Sequence, residues 1–226
     1  MKRLLHVADA KLLLNESISP LAPYLDDAFA NAIASTQRAL KLFSPSQHPH
    51  LFSIHVRASV RNCLENETLP NGWAVCGDSR KMEQLLLRNE IFGVTLRVLK
   101  YSPTQPDQIP IAGDNRARKK AWEQLPLPNF PFKSVPENSA DVTNQVFLLL
   151  WAPNNLNDPE GGFTLRVVHT LEPGRIGKRT LCDLDILIPR GGIINENSLR
   201  FISSNDEEDL FPFDIPDESV LGGELA

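Results

Sequence analysis

Residues 162–169 read Gly-Phe-Thr-Leu-Arg-Val-Val-His, and residues 93–100 read Gly-Val-Thr-Leu-Arg-Val-Leu-Lys. Apolar side chains largely alternate with polar ones in both runs, the period of a strand with one face buried. A triple-leucine run stands upstream of each, Leu85–Leu87 before the first and Leu148–Leu150 before the second. The pattern predicts two β-hairpins of similar design, Glu83–Tyr101 and Gln145–Leu171, in one mostly antiparallel sheet. A third strand, Thr180–Ile188, returns to it, and Pro189, Gly191 and Gly192 close the sheet. Half-buried strands need a run such as Thr-Leu-Arg-Val in any case, so a shared design and a true duplication both remain open.

Outward from the hairpins, the spacing of Leu4, Leu5, Ala8 and Leu12 predicts a helix over 3–15, broken by Ser19–Pro23. A longer helix is expected over 24–43, with Leu25, Ala28, Phe29, Ala32, Ile33, Ala39, Leu40 and Phe43 on one face. Residues 51–64 fit both a strand and a helix, and helix is preferred because the run continues to Leu64. Asn71-Gly72 marks a turn and Trp73–Cys76 begins a strand. Asp114 is an N-cap candidate for a helix to about Leu125, with Ala117, Ala121, Trp122 and Leu125 inward. Residues 126–144 hold four prolines and read as a long loop. The fold class is α+β: a helical region over 1–70 packs on an antiparallel domain over 71–202, into which the basic helix 114–125 is inserted. A disordered acidic tail over 203–226 follows.

The net charge of −5 is unevenly placed. Residues 203–226 hold eight acidic residues and no Lys or Arg, which leaves 1–202 at +3. A body so near neutral lacks the footprint of a dedicated nucleic-acid binder. Three cysteines with no Cys-x-x-Cys spacing argue for reduced thiols and against a disulfide scaffold. No stretch approaches the ~18 apolar residues of a membrane span. A cytoplasmic protein is expected.

Several groups could carry chemistry. With the turn near Arg175, Arg166 faces Asp185 and His169 faces Cys182. Asp183 and Asp185 then share one side of a strand, where two carboxylates can hold a Mg²⁺ that clamps a triphosphate. Asp183-Leu-Asp-Ile-Leu-Ile188 resembles the metal-binding strand of nucleotidyltransferases, although the Gly-Ser pair of that family is missing. The resemblance implies a Mg-dependent enzyme; the ordinary reading is an exposed cross-strand ion pair. His169 with Cys182 would be a base and a nucleophile, though no orienting acid falls on that face and a buried His is more often structural. His48, His50 and His55 lack further ligands at metal spacing. Arg116, Arg118, Lys119 and Lys120 form a basic helix face that could contact phosphates, or could simply be solvated. Around Asn205–Pro216, Leu210, Phe211 and Phe213 sit among acids, a composition that docks apolar side chains into a partner groove. It is loosely similar to the acidic tips of bacterial single-stranded-DNA-binding proteins.

Pro110–Trp122, Phe147–Trp151 and Asp183–Pro189 together resemble an uncharacterised bacterial protein group. Its genes are often found beside helix-turn-helix and zinc-metallopeptidase (ImmA/IrrE-like) genes. The resemblance implies a regulatory, toxin–antitoxin-like or phage-defence setting. The peptidase signature His-Glu-x-x-His is absent. The expectation is therefore a non-enzymatic regulatory or adaptor protein with a protein partner and no cofactor. The alternatives are the Mg-dependent enzyme of Asp183 and Asp185 and a weak nucleic-acid binder using residues 116–120.

Overall fold

The computed structural model of the protein describes residues 14–125, 127, 145–154 and 162–194. The alternating runs become strands β1 (Trp73–Cys76), β2 (Leu86–Asn89), β3 (Val94–Lys100), β4 (Gln145–Pro153), β5 (Phe163–Thr170) and β6 (Cys182–Ile188). They lie side by side in chain order in one sheet. Neighbours pair antiparallel except β3 and β4, which are parallel. The sheet is thus mixed. Residues 101–144 supply the crossover length that parallel neighbours require.

Two helices cover one face, α1 (Ser19–Ala39) and α2 (Pro49–Glu65). In α1 the residues Leu21, Leu25, Ala28, Phe29, Ala32 and Ile33 are buried at spacings of three and four. In α2 the buried set is Phe52, Val56, Val60 and Leu64, a strict spacing of four, so the doubly readable segment is a helix. The expected break at Ser19–Pro23 is not there: Pro20 lies in the first turn of α1 and Pro23 inside the helix. The chain enters through a π turn, Leu14–Ile18. This wider turn sits where two prolines offer no N–H to the residues before them. The rest of the helix expected over 3–15 lies outside the described residues.

Phe29 joins the layers, with ring centroids 5.9 Å from Trp151 and 6.2 Å from Phe163. Leu87, Leu96, Val98, Phe147, Val167 and Ile186 complete this main core beneath the helices. Trp73 Nε1 donates to Ser17 O at 2.9 Å and ties β1 to the entry of α1.

A smaller core forms on the opposite face from Ile109, Ala112, Trp122, Leu148, Leu150, Val168 and Cys182. The crossover covers it, with a short helix α3 (Arg116–Trp122). Asn115, rather than Asp114, caps α3, its Oδ1 accepting Arg118 N–H at 3.0 Å. The helix stops before Leu125, which is exposed instead of inward. The cause is Gln124, whose side chain bonds the Val146 backbone in both directions, at 2.6 and 2.7 Å, and draws the chain against β4.

The two Thr-Leu-Arg-Val strands sit in different registers. Arg97 lies opposite Leu86, the middle of its leucine run, whereas Arg166 lies opposite Leu150, the last of its own. Leu85 and Leu87 enter the main core, while Leu148 and Leu150 enter the smaller one. Because β3 and β4 run the same way, β4–β5 turns with the opposite hand from β2–β3 when both are viewed from the helices.

Strands β5 and β6 also differ from the sequence expectation. Arg166 lies opposite Leu187 and His169 opposite Leu184, two positions along, and a register shift follows at Thr170↔Cys182. Asp183 is the extra residue of this bulge. It turns Cys182 into the smaller core while Leu184, Ile186 and Ile188 stay in the main one. Arg166 still reaches Asp185, as a diagonal ion pair.

Candidate anion-binding cleft

Strand β3 outruns β2. Their ladder ends at Leu86↔Arg97, and one further bond joins Val98 N–H to Leu85 O at 3.1 Å. Past it, no strand among the described residues pairs with β3 on that side. A cleft of about 530 Å³ opens there between β3, the turn at Lys81–Gln84, Arg57 of α2, and α3. That volume lies within the roughly 300–1,000 Å³ of small-ligand sites. Four cations line it, Arg57, Lys81, Arg97 and Arg118, and no Asp or Glu does among the described residues. Leu99 and Ala121 supply apolar wall.

These four cations are not equivalent. Arg57 donates to the backbone oxygens of Met82 at 2.7 Å and Glu83 at 3.1 Å, so it braces the turn. Burial lowers its pKa, and the Glu83 charge partly offsets that. Lys81 is 3.8 Å from Asp78. Arg97 alternates with Leu96 and Val98 and so emerges on the side of α3, away from the main core. Its Nε is enclosed and has no hydrogen-bond partner among the described residues. Burial pulls its pKa down and the neighbouring Arg118 charge pulls it further. Two guanidinium groups that repel each other without a carboxylate between them form a place that an anion would stabilise.

Of the basic residues expected on the inserted helix, Arg118 lines the cleft. Lys119 pairs with Asp114 at 3.7 Å, and Arg116 and Lys120 are exposed away from the lining. Sequence reasoning missed Arg97 because it took the Thr-Leu-Arg-Val run as what any half-buried strand needs. The strand order supplies the signal: β2 and β4, the strands on either side, contain no acidic residue to pair with it.

The other candidates form a separate enclosed cluster. His169 and Asp183 are fully buried, with Nδ1 2.6 Å from Asp183 Oδ1. The opposite ring nitrogen is 2.5 Å from Gln145 Oε1, and the ring packs 4.9 Å from Phe147. Asp183 Oδ2 accepts the Leu127 N–H at 2.7 Å. The acid that the sequence did not place beside His169 is therefore there, brought by the bulge. Cys182 is not its partner. The thiol lies in the smaller core, where burial first, and then the charge of Asp185, push its pKa up to about 12. A thiol that keeps its proton is a poor nucleophile. The cluster fastens the end of the crossover to the sheet.

Asp183 and Asp185 are each bonded by protein groups. Asp185 is held in two bonds by Arg166, and Asp183 by His169 and Leu127. Asp107, the next carboxylate, accepts from the backbone of Ile109 and Thr180. No group of three or more His, Cys, Asp or Glu that could hold a metal ion is found among the described residues. His55 bonds Thr36 Oγ1 at 2.9 Å between α2 and α1, and His48 packs on Phe43. The expectations for Leu210, Phe211 and Phe213, and for the tail as a whole, lie outside the described residues.

No helix among the described residues is long and apolar enough to cross a membrane. No family model matches the chain, and neither a curated protein nor a solved structure does.

Proposed function

We propose that the protein is a non-enzymatic adaptor that holds an acidic segment of a protein partner in the cleft between β3 and α3. The observation that carries this reading is Arg97, whose enclosed Nε has no acceptor among the described residues and faces a second cation, Arg118. The open edge of β3 supports it, since an extended peptide adds to such an edge through main-chain bonds. The lining also favours peptide over single-stranded nucleic acid: among the described residues no aromatic side chain lines the cleft on which bases could stack. The enclosed His169–Asp183 pair, with no hydroxyl or thiol on its ring among the described residues, favours a binding role over catalysis. On this reading β2–β3 and β4–β5 are two versions of one hairpin design. The arginine of the second is satisfied by Asp185, and that of the first is kept for a ligand. The setting is cytoplasmic and regulatory, in keeping with the bacterial group that the sequence resembles.

The test is fluorescence anisotropy at low salt. The probes are a labelled twelve-residue peptide of alternating Glu and Leu and a labelled twelve-nucleotide oligothymidylate. Saturable, salt-sensitive binding of the peptide that Arg97→Gln abolishes supports the adaptor. Tighter binding of the oligothymidylate, also lost with Arg97→Gln, moves the function to nucleic acid and overturns it. Binding of neither probe overturns it as well.

A further inference from the structure

The second hairpin shows what one arginine of this scaffold takes from an acid. Arg166 Nε donates to one oxygen of Asp185 and its Nη2 to the other, while Nη1 donates to Asp107 O at 2.7 Å. A single carboxylate thus has both oxygens committed to a single guanidinium, in the two-bond fork that arginine favours. The cleft presents two guanidinium groups, Arg97 on β3 and Arg118 on α3. Neither enters an ion pair among the described residues. They lie near enough for the charge of one to act on the other.

One Asp or Glu side chain would fill one of these groups and leave the other. Two carboxylates brought side by side would repel each other. A phosphate monoester removes the difficulty, because it carries about −1.5 to −2 charge near pH 7 and three terminal oxygens. On the reading of the cleft as an acidic-peptide site, we infer that its anchor is a phosphorylated serine or threonine of the partner segment, bridged between Arg97 and Arg118. Arg57 is committed to the Met82 and Glu83 carbonyls, and its charge adds to the field at the phosphate. Leu99 and Ala121 give apolar wall for the residues beside the anchor. The same count sets the ligand apart from a nucleic-acid backbone. A phosphodiester has one charge and two free oxygens, no more than a carboxylate, and cannot fill both guanidinium groups.

The experiment measures anisotropy at low salt with the full chain and three labelled peptides. They are the Glu/Leu peptide, the same peptide with one central Glu replaced by phosphoserine, and one with a central Leu replaced by Glu, which matches the charge of the phosphopeptide. The phosphopeptide should bind at least about tenfold more tightly than the Glu/Leu peptide, the worth of one further charge-assisted bond. The charge-matched peptide should stay close to the Glu/Leu peptide. Arg118→Gln should bring the phosphopeptide and the Glu/Leu peptide to similar affinity, since either one fills a single guanidinium. Equal affinity for these two in the wild type overturns the inference and leaves the cleft as an acidic-peptide site. A gain that the charge-matched peptide reproduces, or that survives Arg118→Gln, also overturns it. Inorganic phosphate that binds as tightly as the phosphopeptide makes free phosphate the ligand and overturns the peptide source. Absence of binding by every peptide overturns both readings.

Discussion

Replacing Asp183 by alanine removes two acceptors at once. One oxygen lies 2.6 Å from the His169 ring and the other accepts the Leu127 N–H at 2.7 Å. Both side chains of the pair are 0% exposed, so water does not reach them in place of the carboxylate. A buried donor left without a partner costs about 1–3 kcal/mol. Two donors are orphaned here, which sets the expected loss at roughly 2–6 kcal/mol, a large part of the ~5–15 kcal/mol that holds a domain together. Asp183→Asn should lose less, because its carbonyl oxygen can still accept one of the two bonds. The assay is urea unfolding followed by tryptophan fluorescence, compared at fixed m. A carboxylate reserved for a metal would behave in the opposite way, since removing it relieves an unpaired buried charge. An Asp183→Ala protein that unfolds at the wild-type midpoint or above would refute the view that this cluster is a brace.

Two more predictions concern stability. The Cys182 thiol is pushed up to about 12 by burial, whereas an unfolded cysteine titrates near ~8.5. Above that value the unfolded chain releases a proton that the folded chain keeps. Stability should therefore fall as pH rises from about 9, at up to ~1.4 kcal/mol per unit, with no effect below about 8. Urea midpoints between pH 7 and 10.5 check this, and Cys182→Ala should flatten the alkaline decline; an identical decline would assign it elsewhere. Gly192 has φ +70°, and a Cβ there would fall 2.3 Å from Pro23 N of α1. Gly192→Ala should cost more than about 2 kcal/mol, beyond the ~1–2 kcal/mol of left-handed backbone alone. Gly113, at φ +66° with nothing among the described residues within 4 Å, is the control that should show only the backbone cost. Equal losses at the two glycines would contradict the close approach of residue 192 to α1.

The strands were legible because a period of two survives in a short window, as in Val94–Lys100. Residues 51–64 were ambiguous because Phe52, Val56 and Val60 satisfy periods of both two and four, and only Leu64, with the α1 face to bury against, breaks the tie. The parallel step was hidden for a different reason. Hairpin signals are local, while the direction of β4 depends on the path of a crossover more than forty residues long. The Asp183 bulge was equally invisible: one unpaired residue reverses every later side chain, and no residue type in Cys182–Asp185 announces it. In the cleft, Arg118 could be read from the charge of its helix. Arg97 was passed over, because a Thr-Leu-Arg-Val run is what any half-buried strand needs and only the strand order shows that its neighbours carry no acid. The difference from Arg166 lies in the neighbours, acidic on β6 and leucine-rich on β2 and β4.

The central claim is that Arg97 and Arg118 hold an anionic peptide against the open edge of β3. Each charge-assisted bond is worth about 1.5–3 kcal/mol, so losing two should weaken binding by at least roughly a hundredfold. The decisive measurement is the affinity of the labelled Glu/Leu peptide for the wild type and for the Arg97→Gln, Arg118→Gln double variant at low salt, with urea midpoints in parallel. The account predicts that the double variant folds as stably as the wild type, or more so once the two charges no longer repel, and binds at least a hundredfold more weakly. A stable double variant that binds the peptide as tightly as the wild type would contradict it.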